Sequence, residues 1–474
     1  MRGIAQRLDA RGIPRVDHGV VLRLAMPLVL SAGIQALMGI TDTWFIGQIS
    51  SQALAGMNAA WLPTQVALTP FLSLGRAVQT LVAQTYASGD PKGASRYAWS
   101  GVGLGLGLFP LCGLLSLLGG LLYGGLPLPP GVAEQAAAYW QIRVWGGSAL
   151  LGTFALSGFF NGIGRTWITL WVSGWSVLLN SILNTLFIFG LNWGIAGAAW
   201  GTILSEYGEL TLYLLVFLSA WIHRDYATRQ TWRTGWKPLR PLLRLGLPIG
   251  IYALADMSSF TVFQLMLGQL GAVEGATAHL CLMLSRFAYL PAIGLEQSAT
   301  VLVGQAVGAG QPAWAMRLGN AVMGWTLGYM AVIGGGLALF GQALLGLFVT
   351  GKDANAAAIL HLGGRLLRII GVSFLFDGIN FSAVGCLRGA GDVRAPMAIM
   401  LGMSWLFFLP LAQILIFPQS WIPFLPGLGW GAVGGWLAML IYVAGLASLL
   451  LSRWRSRVWQ KAALRQGHRH SELG

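Results

Sequence analysis

The sequence predicts an all-α integral membrane protein with 12 transmembrane helices in two six-helix lobes, related by a pseudo-twofold axis along the membrane normal. Three observations predict it: an apolar composition, twelve long apolar stretches, and a repeat of the first half of the chain in the second. Of the 474 residues, 55% are hydrophobic and 9% are charged, whereas a soluble domain has about 25% charged residues. A chain with so little polar surface needs a lipid bilayer around it.

The charge and the cysteines exclude other classes. The formal net charge is +14, but the basic residues are concentrated in particular loops and in the termini, so they do not indicate a nucleic-acid partner. Cys112, Cys281 and Cys386 all lie in apolar segments and form no CxxC motif. They are typical of small core residues rather than of disulfides or metal ligands, and we expect no cofactor.

Twelve apolar stretches are long enough for membrane helices, since about 20 helical residues cross a ~30 Å hydrocarbon core. They are 24–46, 54–86, 96–124, 134–161, 166–190, 195–222, 243–270, 276–307, 316–348, 356–387, 393–418 and 428–452. Six fall in each half. This predicts an N-lobe at 1–222, a cytoplasmic linker at 223–241, a C-lobe at 242–452 and a basic cytoplasmic tail at 453–474.

The first half of the chain is repeated in the second. Pro27, Gly47 and Gln84 match Pro248, Gly268 and Gln305, each 221 positions later. The offset grows to 227 at Gly158 and Gly385 and to 237 at Trp193 and Trp430, and it changes only between apolar stretches. Because six helices return the chain to its starting side, both copies should insert the same way up. Such internally repeated membrane proteins are typically secondary transporters.

The basic residues predict the orientation. A twelve-helix arrangement places one set of loops on a single side together with the linker, and those loops carry Lys92, Arg96, Arg165, Arg224, Arg229, Arg233, Lys237, Arg240, Arg317, Arg388 and Arg394. Since cytoplasmic loops carry the excess of Lys and Arg, we expect a multi-pass protein of the bacterial inner (plasma) membrane with both termini cytoplasmic. The basic tail, which contains Trp454 and Trp459, is expected to lie on the anionic inner leaflet.

Apart from Glu134 at the outer end of the fourth stretch, six acidic residues fall within the predicted spans: Asp42, Glu206, Glu209, Asp256, Glu296 and Asp377. An ionised carboxylate at the bilayer centre costs about 2.5–3.5 kcal/mol, so such residues normally face an aqueous cavity or an ion. The alternative is a protonated or hydrogen-bonded acid that fixes helix packing. The repeat does not conserve these acids, since Asp42 aligns with Phe263 and Asp377 with Leu150. The two lobes are therefore expected to have different functions.

Pro27 and Pro248 lie early in the first helix of each lobe. A proline inside a helix leaves a backbone carbonyl without its partner and permits bending there. We predict bends or hinges at both positions; the alternative is a plain kink.

Several motifs in order resemble one known family. They are the segment Ile40–Gly47, the run from Val82 to Pro91, the segment Gly246–Ile249 leading to Asp256, the run Leu302–Gly310, and Leu387–Asp392 after Asp377. Over residues 20–452 the chain resembles the multidrug and toxin extrusion (MATE) transporters, of a prokaryotic type with NorM-like and DinF-like features. The resemblance implies two lobes in a V that open alternately to the two sides. It also implies export of organic cations and amphipathic drugs in exchange for inward H+ or Na+.

The resemblance implies an N-lobe cation-coupling site. The aspartate of helix 1 in the family matches Asp42, and the asparagine of helix 5 matches Asn180. Tyr139 and Thr202 match polar positions around the same site. The acidic residue usual four positions after the asparagine is Asn184 here, so this chain has one carboxylate fewer in that site.

A second site is implied in the C-lobe, where Asp256 and Asp377 match the acids of the NorM-type branch. The DinF-type branch relies on the N-lobe instead, and this chain has features of both. Oxygen ligands suit Na+, so Asp42, Asn180, Asp256 and Asp377 are its candidate ligands. Burial of a carboxylate favours proton uptake instead, and the choice between the two ions stays open.

Other functions were weighed against the antiporter. A flippase for lipid-linked oligosaccharides, or a narrow-specificity metabolite exporter of the same superfamily, could share the repeat. The spans carry few cations for a pyrophosphate, however. A membrane-embedded enzyme is not expected, because no HExxH, GxSxG or DDxxD motif occurs. The expected partners are small organic cations or drugs and the lipid bilayer, and we expect a monomer.

Overall fold

The computed structural model describes residues 5–8, 14–125, 127–129, 131–233, 235, 237–349, 355–418 and 427–460. Two short strands, β1 (Gln6–Leu8) and β2 (Pro14–Val16), pair antiparallel with Arg7 opposite Arg15. They precede the first helix and are a departure from the predicted all-α fold. The hairpin is held near the start of a later helix, since Arg317 donates to the Pro14 carbonyl at 3.2 Å.

The rest of the described chain is nearly all helical. The helices are α1 (His18–Gly47), α2 (Ser51–Ala87), α3 (Pro91–Gly107), α4 (Phe109–Gly124), α5 (Val132–Arg143), α6 (Gly146–Gly162), α7 (Thr166–Asn184), α8 (Gly194–Phe217), α9 (Ala220–Tyr226), α10 (Leu239–Gly268), α11 (Ala272–Gly308), α12 (Pro312–Gly346), α13 (Ala356–Gly389), α14 (Arg394–Leu401), α15 (Leu409–Ile416) and α16 (Gly431–Arg455). Two π-helical segments, Thr185–Gly190 and Gly402–Phe408, extend α7 and join α14 to α15.

The number of spans differs from the predicted twelve. Within the described residues, ten helices are long and apolar enough to cross a membrane, or up to eleven if α8 and α9, bent by 65°, form one span. The difference lies at the predicted span 134–161, where the structure has α5 of 12 residues and α6 of 17. Neither reaches the length of about 20 residues that a span needs alone. The chain is thus a multi-pass helical membrane protein, and the twelve-span arrangement remains a prediction.

Helix lengths follow the repeat found in the sequence. α1 and α10 are both 30 residues long and α2 and α11 are both 37 residues long, with each pair offset by 221 positions. The turns after α2 and α11 also match, since Gly89 has a φ of +93° and Gly310 a φ of +71°. Only glycine adopts this region readily, which gives a physical reason for the repeated glycine.

Pro27 and Pro248 each occupy the tenth position of an uninterrupted helix, α1 and α10. The hydroxyl of Ser31 donates to the Pro27 carbonyl at 2.8 Å, within the same helix. The predicted bending at these positions stays a prediction.

Trp454 and Trp459 are buried inside the protein, whereas the inner-leaflet position expected for the basic tail stays a prediction. Both indoles are 0% exposed, and they stack on each other with centroids 4.8 Å apart. Trp454 donates to Asn320 Oδ1 at 3.0 Å, and Trp459 donates to the Trp454 carbonyl at 2.9 Å. They pack in protein rather than at a lipid surface. Residues 461–474 of the predicted tail lie outside the described residues.

The chain divides into two compact units. One comprises Leu22–Ile251 with Gly304–Ala315, and the other comprises Tyr252–Val303 with the described residues from Met316 onward and those up to Val21. The division falls inside α10, shortly after Pro248, rather than in the predicted linker 223–241. The boundaries at 222, 241 and 452 are not tested by this division and stay a prediction.

Each half has one ion pair that joins the residue before a helix to a later helical segment. Before α7, Arg165 pairs with Asp225 of α9 at 3.5 Å and lies over the Trp221 ring. At the matching position before α14, 227 residues later, Asp392 pairs with Arg453 of α16 at 2.7 Å. The same connection is therefore made with the charges reversed.

Candidate functional site

The N-lobe candidates meet where α1, α7 and α8 pack together. Asp42 of α1 is half-buried. One carboxylate oxygen, Oδ1, accepts a hydrogen bond from Asn184 Nδ2 at 2.7 Å, and the other, Oδ2, accepts from Thr202 Oγ1 at 3.3 Å. Hydrogen bonds to a charged acceptor contribute about 1.5–3 kcal/mol each. The structure thus holds the Asp42 carboxylate with neutral donors from two other helices.

The amides of Asn180 and Asn184 form the inner part of this site. Both are 0% exposed. Asn184 Nδ2 also donates to Asn180 Oδ1 at 3.2 Å, and Asn180 Nδ2 lies 3.5 Å from Thr202 Oγ1. The four-residue spacing predicted that the two asparagines share a helix face. Asn184 is the last residue of α7 before the π-helical segment, a feature frequent at functional sites.

One oxygen in this site is buried without a partner. Asn184 Oδ1 makes no hydrogen bond to any residue that the structure describes. It lies where a Cβ on Gly201 would collide with it, so the glycine leaves room for the amide. A buried carbonyl oxygen beside a carboxylate is suited to a cation or to the proton of a water molecule.

A buried ion pair adjoins the N-lobe site. Arg143 of α5 binds Glu206 of α8 through two nitrogen–oxygen contacts of 2.6 and 3.0 Å. Their side chains are 12% and 7% exposed. A Cβ on Gly146 would collide with both, so a glycine at this position makes room for the pair.

Tyr139 lies one helical turn before Arg143 on α5. Its phenol neighbours Arg143 and interacts electrostatically with Asp42, and its side chain packs against the clusters around Met57 and Trp140. The described hydrogen bonds of Asp42 come from Asn184 and Thr202 rather than from Tyr139. Tyr139 therefore lies beside the ion pair at the edge of the site and makes no described hydrogen bond to Asp42.

The C-lobe candidates are arranged differently. Asp377 of α13 is half-buried, and its Oδ2 accepts a hydrogen bond from the Tyr289 hydroxyl of α11 at 2.9 Å. Asp256 of α10 is exposed and interacts electrostatically with Glu296 and Asp377. Glu296 in turn binds Arg388 at 2.7 Å. Each half thus combines a candidate aspartate with an Arg–Glu pair.

Most of the residues predicted for the N-lobe site are in contact, but the adjoining ion pair was not predicted. Asp42, Asn180, Asn184 and Thr202 are all in contact. The Arg143–Glu206 pair was missed because its members are 63 residues apart, and the only signal was one intramembrane cation near one intramembrane acid. No group of three or more His, Cys, Asp or Glu side chains that could hold a metal occurs among the described residues, and the Na+ ligands stay a prediction.

The motif Leu302–Gly310, which ends α11, contributes to packing between helices. Gln305 donates through Nε2 to the carbonyl of Gly162 at 2.7 Å. Three residues on, a Cβ at Gly308 would collide with the backbone carbonyl of Gln84. The ends of α2 and α11 therefore approach too closely for any side chain at position 308.

Both halves of the chain are similar to known proteins. A family model described as MatE matches residues 27–186 and 248–414. A probable multidrug resistance protein NorM of Rhizobium meliloti (strain 1021) is 31% identical over 449 residues, which are 92% of this chain and 92% of that protein. The protein of the same description from Pseudomonas putida is 32% identical over 462 residues, which are 95% of this chain and 98% of that protein.

The fold is also found in a solved structure. The crystal structure of the eukaryotic MATE transporter AtDTX14 superposes with a TM-score of 0.82 at 19% identity, and covers 95% of this chain and 98% of that one. At this identity the likeness concerns the fold alone. The resemblance that the sequence motifs predicted is confirmed, and a transporter family agrees with the expectation that the chain is not an enzyme. With the family model matched in both halves and relatives near 30% identity along almost its whole length, the chain belongs to the MatE family.

Proposed function

We propose that this chain is a secondary active antiporter that exports organic cations and amphipathic drugs in exchange for inward H+ by alternating access. The observation that carries the proposal is the Asp42 carboxylate, which is held inside a membrane helix by Asn184 and Thr202. An acid so placed is expensive unless it serves an ion pathway. The drug cargo rests on the relatives described as probable multidrug resistance proteins.

The coupling ion is H+ rather than Na+ in this proposal. Asn184 occupies the position where the family usually has an acid, so the site has a single carboxylate. The adjoining Glu206 is already neutralised by Arg143. One carboxylate with neutral partners suffices for a proton, whereas a small hard cation prefers several oxygen ligands with more negative charge.

Coupling needs only that the proton and the drug favour opposite arrangements of the two lobes. Protonation removes the negative charge of Asp42 and weakens its hydrogen bonds to Asn184 and Thr202. Inward movement of one charge is worth about 2.3 kcal/mol per 100 mV, and this free energy drives export against a gradient. In this proposal Asp256 and Asp377 face the drug rather than the coupling proton.

The membrane arrangement forms part of the same proposal. Twelve spans, with α5 and α6 together as the fourth, place both termini in the cytoplasm because the basic loops then lie on that side. The protein acts as a monomer in the bacterial inner membrane.

The test is ethidium efflux from cells that lack their own drug pumps and express this chain. We expect efflux from the wild type that a proton uncoupler abolishes and that Na+ does not stimulate. The Asp42→Asn variant keeps its hydrogen-bond acceptor but cannot take up a proton, so its efflux falls to the background of cells without the protein. The control is Asp17→Asn, in the segment before α1, where an amide oxygen can still accept the hydrogen bond from Gly19 N at 2.9 Å; it leaves efflux unchanged.

Three other outcomes contradict the proposal in different ways. Efflux that requires Na+ and persists in the presence of the uncoupler would show that the coupling ion is Na+ rather than H+. Wild-type efflux in the Asp42→Asn variant moves coupling to Asp256 and Asp377. No efflux of ethidium or of other dyes by well-expressed protein excludes a multidrug exporter and favours a metabolite exporter or a lipid-linked oligosaccharide flippase.

A further inference from the structure

A line of polar side chains runs along one face of α7, beyond the two asparagines of the N-lobe site. Thr169, Ser173, Ser176, Asn180 and Asn184 are all buried. At about 100° per residue they fall within an arc of about 80°, and at 1.5 Å per residue the line is about 22 Å long. This length is most of a ~30 Å hydrocarbon core.

The facing helix α8 continues the same polar surface. Glu209 neighbours Ser176, and Tyr213 neighbours Ser173 and Thr169. At the far end, Thr169 donates to Asn161 Oδ1 at 2.7 Å. We call this set the α7–α8 polar seam: Asn161, Thr169, Ser173, Ser176, Asn180, Asn184, Thr202, Glu209 and Tyr213.

Three hydroxyl groups of the polar seam have polar neighbours but no well-aligned hydrogen bond to them. Ser173 Oγ, Ser176 Oγ and Tyr213 OH make no hydrogen bond of good geometry to any described residue, although their residues are 2%, 3% and 0% exposed. An unpartnered buried polar group costs about 1–3 kcal/mol. Buried groups of this kind are commonly satisfied by ordered water, which needs two to four polar neighbours. The three hydroxyls and Glu209 supply those neighbours.

Glu209 lies in the middle of the polar seam. The groups that face it are Ser176, Glu206 and Tyr213, and Glu206 is held by Arg143. Glu209 takes part in none of the ion pairs found among the described residues. Its carboxylate, which neighbours the Ser176 hydroxyl and has no cationic partner among the described residues, can therefore accept a proton from water and pass it on.

We propose that the polar seam holds a chain of water molecules, through which the proton taken up at Asp42 leaves toward the start of α7 with Glu209 as an intermediate acceptor. The ligand of this site is water and the proton it carries. The proposal rests on the proposed H+ coupling and adds a route for the proton that is separate from the route of the drug. Each step breaks one O–H bond and forms another, so no other reactant is needed.

The two asparagines provide a break in this route. Asn180 and Asn184 separate Asp42 from the hydroxyl part of the seam, and an amide does not readily exchange protons. A proton passes only when these side chains move away from Asp42. Without such a break the seam would leak protons while the drug site is open to the outside.

The experiment uses the whole protein in vesicles of bacterial phospholipid that contain ethidium and a trapped pH-sensitive dye. An inward proton gradient starts exchange, and lumenal acidification is recorded together with ethidium loss. In the Glu209→Gln and Ser176→Val variants, both rates fall at least about tenfold, which is a barrier increase of about 1.4 kcal/mol. The rates of these variants fall further in D2O, because proton transfer then limits exchange, and ethidium affinity of the purified protein is unchanged.

The matched control is Thr211→Val on the exposed face of α8, where the hydroxyl bonds within its own helix at 2.8 Å. It keeps the wild-type rate and isotope effect. If Asp42→Asn retains coupled acidification, the proposed coupling role of Asp42 fails, and the polar seam proposal fails with it. If Asp42→Asn abolishes acidification while Glu209→Gln and Ser176→Val exchange at the wild-type rate, the polar seam proposal is overturned and the coupling stands.

A second measurement does not depend on any variant folding. An experimental structure at a resolution that shows ordered water should contain water beside Ser173, Ser176 and Tyr213. Density that shows a dry seam with these hydroxyls bonded directly to each other would overturn the proposal.

Discussion

The two candidate aspartates, Asp42 and Asp377, have different surroundings although their helices belong to a repeated scaffold. Asp42 is held by an amide and a hydroxyl and is followed by a line of further polar groups. Asp377 is held by the single hydroxyl of Tyr289. Each lies in the half that also contains an Arg–Glu pair, yet these pairs join different helices: α5 to α8 in one case, and α13 to α11 in the other.

This difference shows which properties the duplication kept. Helix lengths and the turn glycines depend on the backbone, and they repeat between the halves. Asp42 and Asp377 occupy positions that the other half fills with the apolar residues Phe263 and Leu150. The repeat therefore constrains the scaffold, and the candidate aspartates are not part of it.

The largest expected effect separates the two aspartates. Asp42→Asn should reduce proton-driven ethidium efflux to background, since the site then has no acid. Asp377→Asn keeps a carbonyl oxygen that accepts the Tyr289 hydrogen bond, and should reduce efflux by no more than about tenfold, or 1.4 kcal/mol. Initial rates in vesicles at a fixed proton gradient measure both. Equal loss in the two variants would remove the functional distinction between the halves.

The next effect concerns the ion pairs. Glu206→Gln leaves Arg143 buried without its counter-charge and should lower the free energy of unfolding by about 3–5 kcal/mol. Combining Arg143→Met with Glu206→Leu should recover most of that loss, because a matched apolar pair avoids the desolvation cost. Glu296→Gln should cost less, since Arg388 has further interactions. Thermal unfolding in detergent ranks the variants, and a larger loss for Glu296→Gln would contradict this order.

A smaller effect concerns ion choice at the N-lobe site. Asn184→Asp restores a second carboxylate next to Asp42, which favours a bound cation through the added negative charge. Efflux by this variant should become stimulated by Na+ by about tenfold, or 1.4 kcal/mol, whereas the wild type does not respond. Asn192→Asp adds the same charge at an exposed turn and should leave the response unchanged. A Na+-insensitive Asn184→Asp variant would show that the missing acid does not determine the ion.

The smallest effect compares equivalent helix starts. Ser50 caps α2 by accepting a hydrogen bond from Ala53 N at 3.0 Å, and its repeat counterpart 221 positions later is Gly271. Ser50→Ala should lower the free energy of unfolding by about 1 kcal/mol, whereas Ser50→Gly should cost only a few tenths. Thermal unfolding of the two variants tests this, and equal losses would mean that the hydroxyl is not the stabilising group.

Much of the scaffold was predictable because it depends on local chain properties. The stretch 24–46 predicted α1 at His18–Gly47, and 356–387 predicted α13 at Ala356–Gly389. The fourth stretch, 134–161, was predicted as one helix, but the chain breaks after Arg143 where Gly146 makes room for the Arg143–Glu206 pair. The Arg143–Glu206 contact beside this break joins residues 63 positions apart, so no local pattern in the sequence signals it.

In the candidate site, too, contacts within one helix were predictable and contacts between distant residues were not. The spacing of Asn180 and Asn184 predicted their shared face, and the structure confirms their contact. Arg143 and Tyr289 reach their acids across 63 and 88 residues, and hydropathy contains no information about such partners. The burial of Trp454 was not predicted for the same reason, since its partner Asn320 is 134 residues away.

The reversed ion pairs before α7 and α14 have a consequence for biogenesis. During membrane insertion, two halves with helices of equal length offer each closing segment two similar docking positions. Docking at the wrong one would set Arg165 against Arg453 and Asp225 against Asp392, and like charges in contact are unfavourable. With the charges reversed, chimaeras that exchange α8–α9 with α16 should assemble less well than chimaeras in which Asp225 and Arg453 are exchanged back.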